Sequence, residues 1–184
     1  MPRITKRDVG VAVCAIMCAC LLGIAMGTSY LWSGLYNVAA STPHADLTHW
    51  VLETARTRSI RAHARGIVAP TEAASEAQIL AGLSHFAEHC AVCHGAPGVP
   101  QGDIARGLYP PAPDLAGTVR RYNAAETFWI VKFGIKSTGM PAWSDHADDA
   151  LWATVAFIRM LPGLSKEDYA KLLMTSIMQG GHRH

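Results

Sequence analysis

Charge is scarce in this chain. Asp, Glu, Lys and Arg make up only 16% of its 184 residues, and the net charge is +2. That balance excludes the strongly basic surface on which nucleic-acid binding rests. Strand signatures are missing as well: the sequence has no alternating apolar–polar pattern, no internal repeat and no long low-complexity stretch. A β-rich fold, a solenoid and a disordered chain are thereby excluded. Cysteine is too sparse for a disulfide framework. Three of the five, Cys14, Cys18 and Cys20, fall in one apolar segment and are expected there as small hydrophobes. The other two, Cys90 and Cys93, form a close pair with a different use.

The apolar segment is long. From Val9 to Trp32 there are 24 residues without a formal charge, and the next charge is Asp46. A helix of that length reaches about 36 Å, against about 30 Å for a hydrocarbon core. Arg3, Lys6 and Arg7 precede it with only Asp8 opposing. The positive-inside rule then keeps the N-terminus cytoplasmic and sends everything after Trp32 outward. Tyr30, Trp32 and Tyr36 stand where an outer aromatic belt belongs. A cleaved signal peptide shares the basic start, and Val38-Ala39-Ala40 satisfies its small-residue rule. Signal cores, however, run to only about 7–15 residues, so a retained single-pass anchor is expected. Lipid attachment at Cys14 is the weaker alternative, because the bulky Val13 stands directly before it.

Four regions are expected: residues 1–43, an N-terminal membrane anchor and connector; 44–76, a juxtamembrane helical linker; 77–163, a compact helical domain; and 164–184, a C-terminal helix and tail. Asp46 to Arg65 reads as a helix in which Arg56, Arg58, Arg61 and Arg65 alternate with apolar residues. It suits lipid headgroups or a partner subunit, or equally a solvated spacer. Ser75-Glu76-Ala77-Gln78 has the form of a capping box and opens a helix whose Ile79, Leu83 and Phe86 face a core. Gly95 to Thr118 is rich in Gly and Pro and reads as an irregular loop. Ala124 to Lys132 forms a short helix, and Gly134 to Trp143 is again a loop. Asp145 to Met160 is expected as a helix with Asp145 at its N-cap, stopped by Pro162-Gly163. A final helix runs from Ser165 to about Met178, before the polar terminus Gly180-Gly181-His182-Arg183-His184. The fold class is all-α.

Within this frame one pentapeptide carries chemistry. Cys90-Ala91-Val92-Cys93-His94 places two thiols two residues apart, with an imidazole directly after the second. Each thiol can form a thioether with one haem vinyl group, and the histidine is placed to ligate the iron. The long loop from Gly95 to Thr118 agrees independently. A structureless loop of that length is unusual in a small domain unless something organises it, and a buried haem offers Pro-rich backbone an apolar plane.

His94 is thus expected as one axial ligand. For the other, Met140, Met160, Met174, Met178 and the remaining histidines are candidates. Methionines at helical spacing are mostly core filler. Met140 instead lies in Gly139-Met140-Pro141, where a glycine permits close approach and a proline limits freedom, so it is the expected sixth ligand. His85 and His89 share the helix of the motif and cannot easily reach the far face. His146 is the runner-up, read as a surface histidine near a helix start. Histidine and thioether together leave no vacant position, and the soft sulfur favours the reduced metal, which suits an electron carrier.

The chain resembles the class I c-type cytochromes over about Ala77 to Gly163. Gly82 and Phe86 match the Gly and aromatic of that family's N-terminal helix, and Phe157 matches the aromatic of its C-terminal helix. Cys90, Cys93 and His94 match the attachment site, Pro113-Asp114-Leu115 the proline loop, and Met140 the distal ligand. The resemblance implies a small cytochrome c fold of several helices around one covalent haem c. It also implies that the Pro113 carbonyl accepts a hydrogen bond from the proximal imidazole. With the anchor, the chain looks like a bacterial membrane-anchored monohaem cytochrome c of the inner membrane, its haem domain in the periplasm.

The expected function is one-electron transfer by a non-enzymatic carrier, either on its own or as a permanent subunit of an oxidoreductase complex. Redox partners would be an oxidase, a quinol-oxidising complex or a periplasmic dehydrogenase. The alternatives are a haem enzyme with a labile sixth ligand, and a zinc or thiol-redox protein built on Cys90 and Cys93. The last lacks a second cysteine pair outside the apolar segment and leaves the adjacent His unused.

Overall fold

The computed structural model describes residues 5–180. Arg3 and the terminal His182-Arg183-His184 lie outside the described residues. Among those described every regular element is helical, and the only extended pairing is an isolated bridge between Ala96 and Val99. The chain divides into two compact units, Met1–Thr42 and Pro43–His184.

The first unit is built on helix α1, Lys6–Trp32. Thr5 and Asp8 form a reciprocal capping box: the Asp8 amide donates to Thr5 Oγ1, and the Thr5 amide donates to Asp8 Oδ2 at 2.9 Å. No residue of α1 is buried in the protein, yet its exposed surface is almost wholly apolar. The helix is long and apolar enough to cross a membrane. Ser33 closes it, its amide bonding back to the Ser29 carbonyl.

In the second unit α2 spans Asp46–His63, α3 Glu76–His89, α4 Ala91–His94, α5 Asp103–Arg106, α6 Leu115–Thr118, α7 Ala124–Phe133, α8 Asp148–Met160 and α9 Lys166–Gly180. The expected capping box at Ser75 is present, with Gln78 Oε1 accepting from the Ser75 amide at 2.8 Å. The Gly/Pro-rich stretch is mostly irregular, but α5 and α6 give it two single turns of helix.

The core forms where α3 crosses α8. The crossing is close because Gly82 has no side chain. A Cβ there would lie 2.1 Å from the Ala153 carbonyl oxygen. One turn along, Phe86 meets Phe157 with ring centroids 5.2 Å apart. This is the helix pairing that the resemblance implies. Leu83 and Leu151 are fully buried beside it. Each such side chain contributes about 1.5–3 kcal/mol on leaving water. Helix α7 joins through Phe128, stacked on Trp152 at 4.1 Å. Helix α9 joins through buried Tyr169 and through a hydrogen bond between Ser176 Oγ and Ser84 Oγ on α3. Helix α2 is also packed in place, since Ile60 and the following Ala64 are buried.

Helix α8 is capped two residues later than the sequence led us to expect, at Ala147 rather than Asp145. The His146 amide bonds to the Trp143 carbonyl at 3.1 Å, and Ala147 is extended at φ −63° and ψ 139°. That turn holds Asp145 outside the helix, and the first helical bond runs from the Leu151 amide to the Ala147 carbonyl at 3.1 Å.

Candidate haem-binding site

The attachment motif occupies the corner between α3 and α4. Cys90 is the last residue of one helix and the first cap of the next, its amide bonding to the Phe86 carbonyl at 2.9 Å. The Cys93 and His94 amides both bond back to the Cys90 carbonyl, at 3.1 and 2.9 Å. One tight turn therefore fixes both thiols and the imidazole. Gly95 ends the turn at φ +67°, a conformation that favours glycine. Neither cysteine is in a disulfide. Cys90 is buried and Cys93 half-buried. Burial, with a smaller push from Cys93, raises the Cys90 thiol to about 12.

The loop after the motif returns to embrace it. Gly102 donates to the Val92 carbonyl at 3.1 Å, and Gln101 Nε2 donates to the Ala112 carbonyl at 2.9 Å. These ties bring Pro113 beside His94, whose Nδ1 donates to the Pro113 carbonyl at 2.8 Å. A carbonyl oxygen can only accept, so the proton resides on Nδ1. The Nε2 lone pair is then available to a metal.

A cleft of about 660 Å³ opens beside His94. Leu115, Ala116, Leu161, Leu164 and the prolines Pro97 and Pro100 supply most of its apolar lining. Its size falls within the usual range for cofactor sites, about 300–1,000 Å³. Paired reduced thiols, an oriented imidazole and a cleft carrying several aliphatic and proline side chains suit a flat, apolar macrocycle attached through its edge. The residues present fit a haem.

Met140 lies on a separate loop and is not among the residues that line this cleft. That loop is tightly specified. Ile135 donates to the Met140 carbonyl at 3.2 Å, Trp143 donates to the Lys132 carbonyl at 3.0 Å, and the Met140 amide donates to Thr138 Oγ1 at 3.1 Å. Gly134 sits at φ +63°, and a Cβ on it would lie 2.6 Å from the Pro141 carbonyl. A Cβ on Gly139 would meet the Leu108 side chain at 2.7 Å. The structure thus groups Cys90, Cys93, His94 and Pro113 in one place and holds Met140 in a separate, closely hydrogen-bonded loop.

Sequence reasoning missed one cluster. His146, expected at the surface, is half-buried, and its Nδ1 lies 3.0 Å from His85 Nε2. His89 and Trp143 complete the group, with Trp143 centroids 5.7, 4.7 and 5.2 Å from those of His85, His89 and His146. The spacing of His85 and His89 put those two on one helix face, but nothing in the sequence announced the third imidazole. Burial, then the neighbouring His89 and His146, push the His85 pKa below the ordinary histidine value, while Glu88 opposes them. Among the described residues no group of three or more His, Cys, Asp or Glu side chains is arranged to hold a metal ion.

Residues 77–158 match the family described as cytochrome c oxidase, cbb3-type, subunit III. Neither the curated proteins nor the solved structures give a match to the chain. The matched stretch runs from the first turn of α3 into α8 and includes the attachment motif, the proline loop and the Met140 loop. With the helical fold and the motif corner in place, residues 77–158 are a c-type cytochrome domain, built for haem-based electron transfer with covalently bound haem c.

Proposed function

We propose that this protein is a membrane-anchored monohaem cytochrome that passes single electrons between redox proteins at the outer face of a bacterial inner membrane. In this reading residues 1–43 anchor and connect, 44–76 link, 77–163 form the cytochrome domain and 164–184 form the C-terminal helix and tail. Cys90 and Cys93 would hold the macrocycle by thioethers, His94 Nε2 would ligate the iron, and Met140 would supply the other iron ligand. When bound, haem c supplies a one-electron iron couple. The hydrogen bond from His94 Nδ1 to the Pro113 carbonyl is the observation that carries the proposal. It fixes the imidazole's tautomer and orientation and makes Nε2 a better donor to a metal.

A histidine and a thioether together would leave no position for a substrate at the iron, which favours transfer over catalysis. A neutral thioether stabilises the reduced state more than a second imidazole would. The family's description as an oxidase subunit supports an oxidase as partner. A quinol-oxidising complex or a periplasmic dehydrogenase would serve as the opposite partner. Tethering raises the local concentration near such complexes. The apolar α1, uncharged from Val9 onward, supports the anchor, and the basic residues before it support a cytoplasmic N-terminus.

The deciding experiment is oxidised and reduced spectroscopy of the detergent-extracted full chain, with a pyridine haemochrome assay. One covalent haem per chain is expected, with a weak near-infrared sulfur-to-iron band that Met140→Ala abolishes. Covalent haem that lacks the band and binds carbon monoxide readily would replace the carrier with a haem enzyme whose sixth ligand is labile. Absence of haem from a strain competent to attach it would overturn the proposal.

A further inference from the structure

The distal loop is held at two ends. At its start, Gly134 and Lys132 tie it to α7. At its far end the chain reaches α3, the helix that leads into the attachment motif, through the contact of His146 with His85. Trp143 is wedged among the imidazoles at that junction, three residues after Met140.

The protons of this pair can be placed. One ring must donate across the 3.0 Å gap and the other accept. His85 Nδ1 is buried and has no hydrogen-bond partner. Were His146 the donor, His85 would carry its proton on Nδ1, leaving a buried N–H unsatisfied. An orphaned N–H is rarer than an idle acceptor lone pair. His85 therefore donates from Nε2, and His146 Nδ1 accepts.

An added proton then finds no good position. On His146 Nδ1 it sets two N–H groups against each other and breaks the bond. On His85 Nδ1 it charges a buried atom that no acceptor faces. The groups acting on His85 are His89 and Glu88 from α3 and His146 from the turn, and among the described residues α8 and α9 contribute none. Glu88 alone favours the proton, and it is mostly exposed to solvent.

We propose that His85 and His146 are positioning residues for the Met140 loop, forming a clasp between that loop and the attachment helix that is closed when both imidazoles are neutral and opened by acid. The inference rests on the reading of Met140 as the sixth ligand. The clasp makes ligation, and with it the redox couple, sensitive to acidity on the side where the domain resides. No metal or co-reactant is needed, since the only event is binding of one proton.

The test uses the full-length haem protein in detergent, wild type beside His85→Gln and His146→Gln. Glutamine can still donate or accept but does not titrate in this range. In wild type the sulfur-to-iron band is expected to fade reversibly between about pH 7 and about pH 5. In either variant the band should be present near neutrality, with its acid midpoint lowered by about one pH unit or more. The wild-type His85 resonances supply a readout independent of ligation: they should titrate below the ordinary histidine value, and the Trp143 indole N–H should shift along with them. Identical band profiles in all three proteins would overturn the clasp. If the wild-type band is absent at every pH, the ligation reading fails, and the His85 titration with the Trp143 signal decides whether the clasp itself stands. Titration of His85 at the ordinary histidine value, with an unmoved Trp143, would sink it. Should the variants fail to fold, the wild-type titration alone separates the same two outcomes.

Discussion

Gly82 of α3 lies against the Ala153 backbone of α8, so that a Cβ would stand 2.1 Å from the Ala153 carbonyl oxygen and 2.9 Å from the Thr154 amide nitrogen. Backbone cannot rotate aside as a side chain can, so any larger residue must push the two helices apart. Gly82→Ala is expected to cost about 3 kcal/mol in urea unfolding, the upper range for overpacking. Gly66→Ala is the control, because nothing lies within 4 Å of a Cβ there. That variant should be unchanged or up to about 1 kcal/mol more stable.

The Met140 loop has an equivalent point of weakness. At Gly134 a side chain meets both a left-handed backbone and the Pro141 carbonyl. The backbone conformation alone, φ 63° and ψ −170°, costs an L-residue about 1–3 kcal/mol. Gly134→Ala is expected to weaken or abolish the sulfur-to-iron band while covalent haem content stays at the wild-type level. Unaltered band intensity would show that the loop's geometry at Gly134 does not govern Met140.

The two thiols of the motif should differ before attachment. The Cys90 thiol is pushed up to about 12 by burial, and it is the less accessible of the two. Because the thiolate is the nucleophile, alkylation of the haem-free chain at mildly alkaline pH should mark Cys93 faster than Cys90. Peptide mapping by mass spectrometry reads the two sites separately from Cys14, Cys18 and Cys20. Equal rates would indicate that the corner between α3 and α4 is open without haem.

Stability should fall in mild acid. The folded protein binds the His85 proton more weakly than the unfolded chain does, because burial and two imidazoles disfavour it. The contribution of neutral His85 is complete above the unfolded value of about 6.5 and is lost as pH drops below it towards the lowered folded value. The thermal midpoint of the wild type should therefore decline between about pH 7 and about pH 5, and His85→Gln should decline less steeply. Parallel curves would remove His85 as the cause.

Much of this was legible in the sequence because the signals are local. The five residues from Cys90 to His94 fix their own turn, Ser75 and Gln78 cap a helix three residues apart, and the uncharged run before Ser33 declares its length directly. The match of Gly82 and Phe86 to a family pattern also carried one long-range contact, to α8. What stayed hidden depends on chain returning from far away. His85 and His146 are 61 residues apart, and no periodicity links them. Asp145 reads as a helix cap by composition, but the turn closed by His146 and Trp143 moves the helix start to Asp148. The burial of Ile60 was likewise invisible, because one isoleucine among four arginines gives no hint of the surface that will cover it.

Helix α9 completes the surface of α3 with Tyr169 and Ser176, and α2 presses Ile60 into the same body from the other end of the chain. A soluble fragment cut to the matched residues 77–158 would leave both surfaces bare. The smallest piece expected to be expressed as a tractable protein therefore begins near Asp46 and runs past Ser176, considerably longer than the cytochrome signature alone would set.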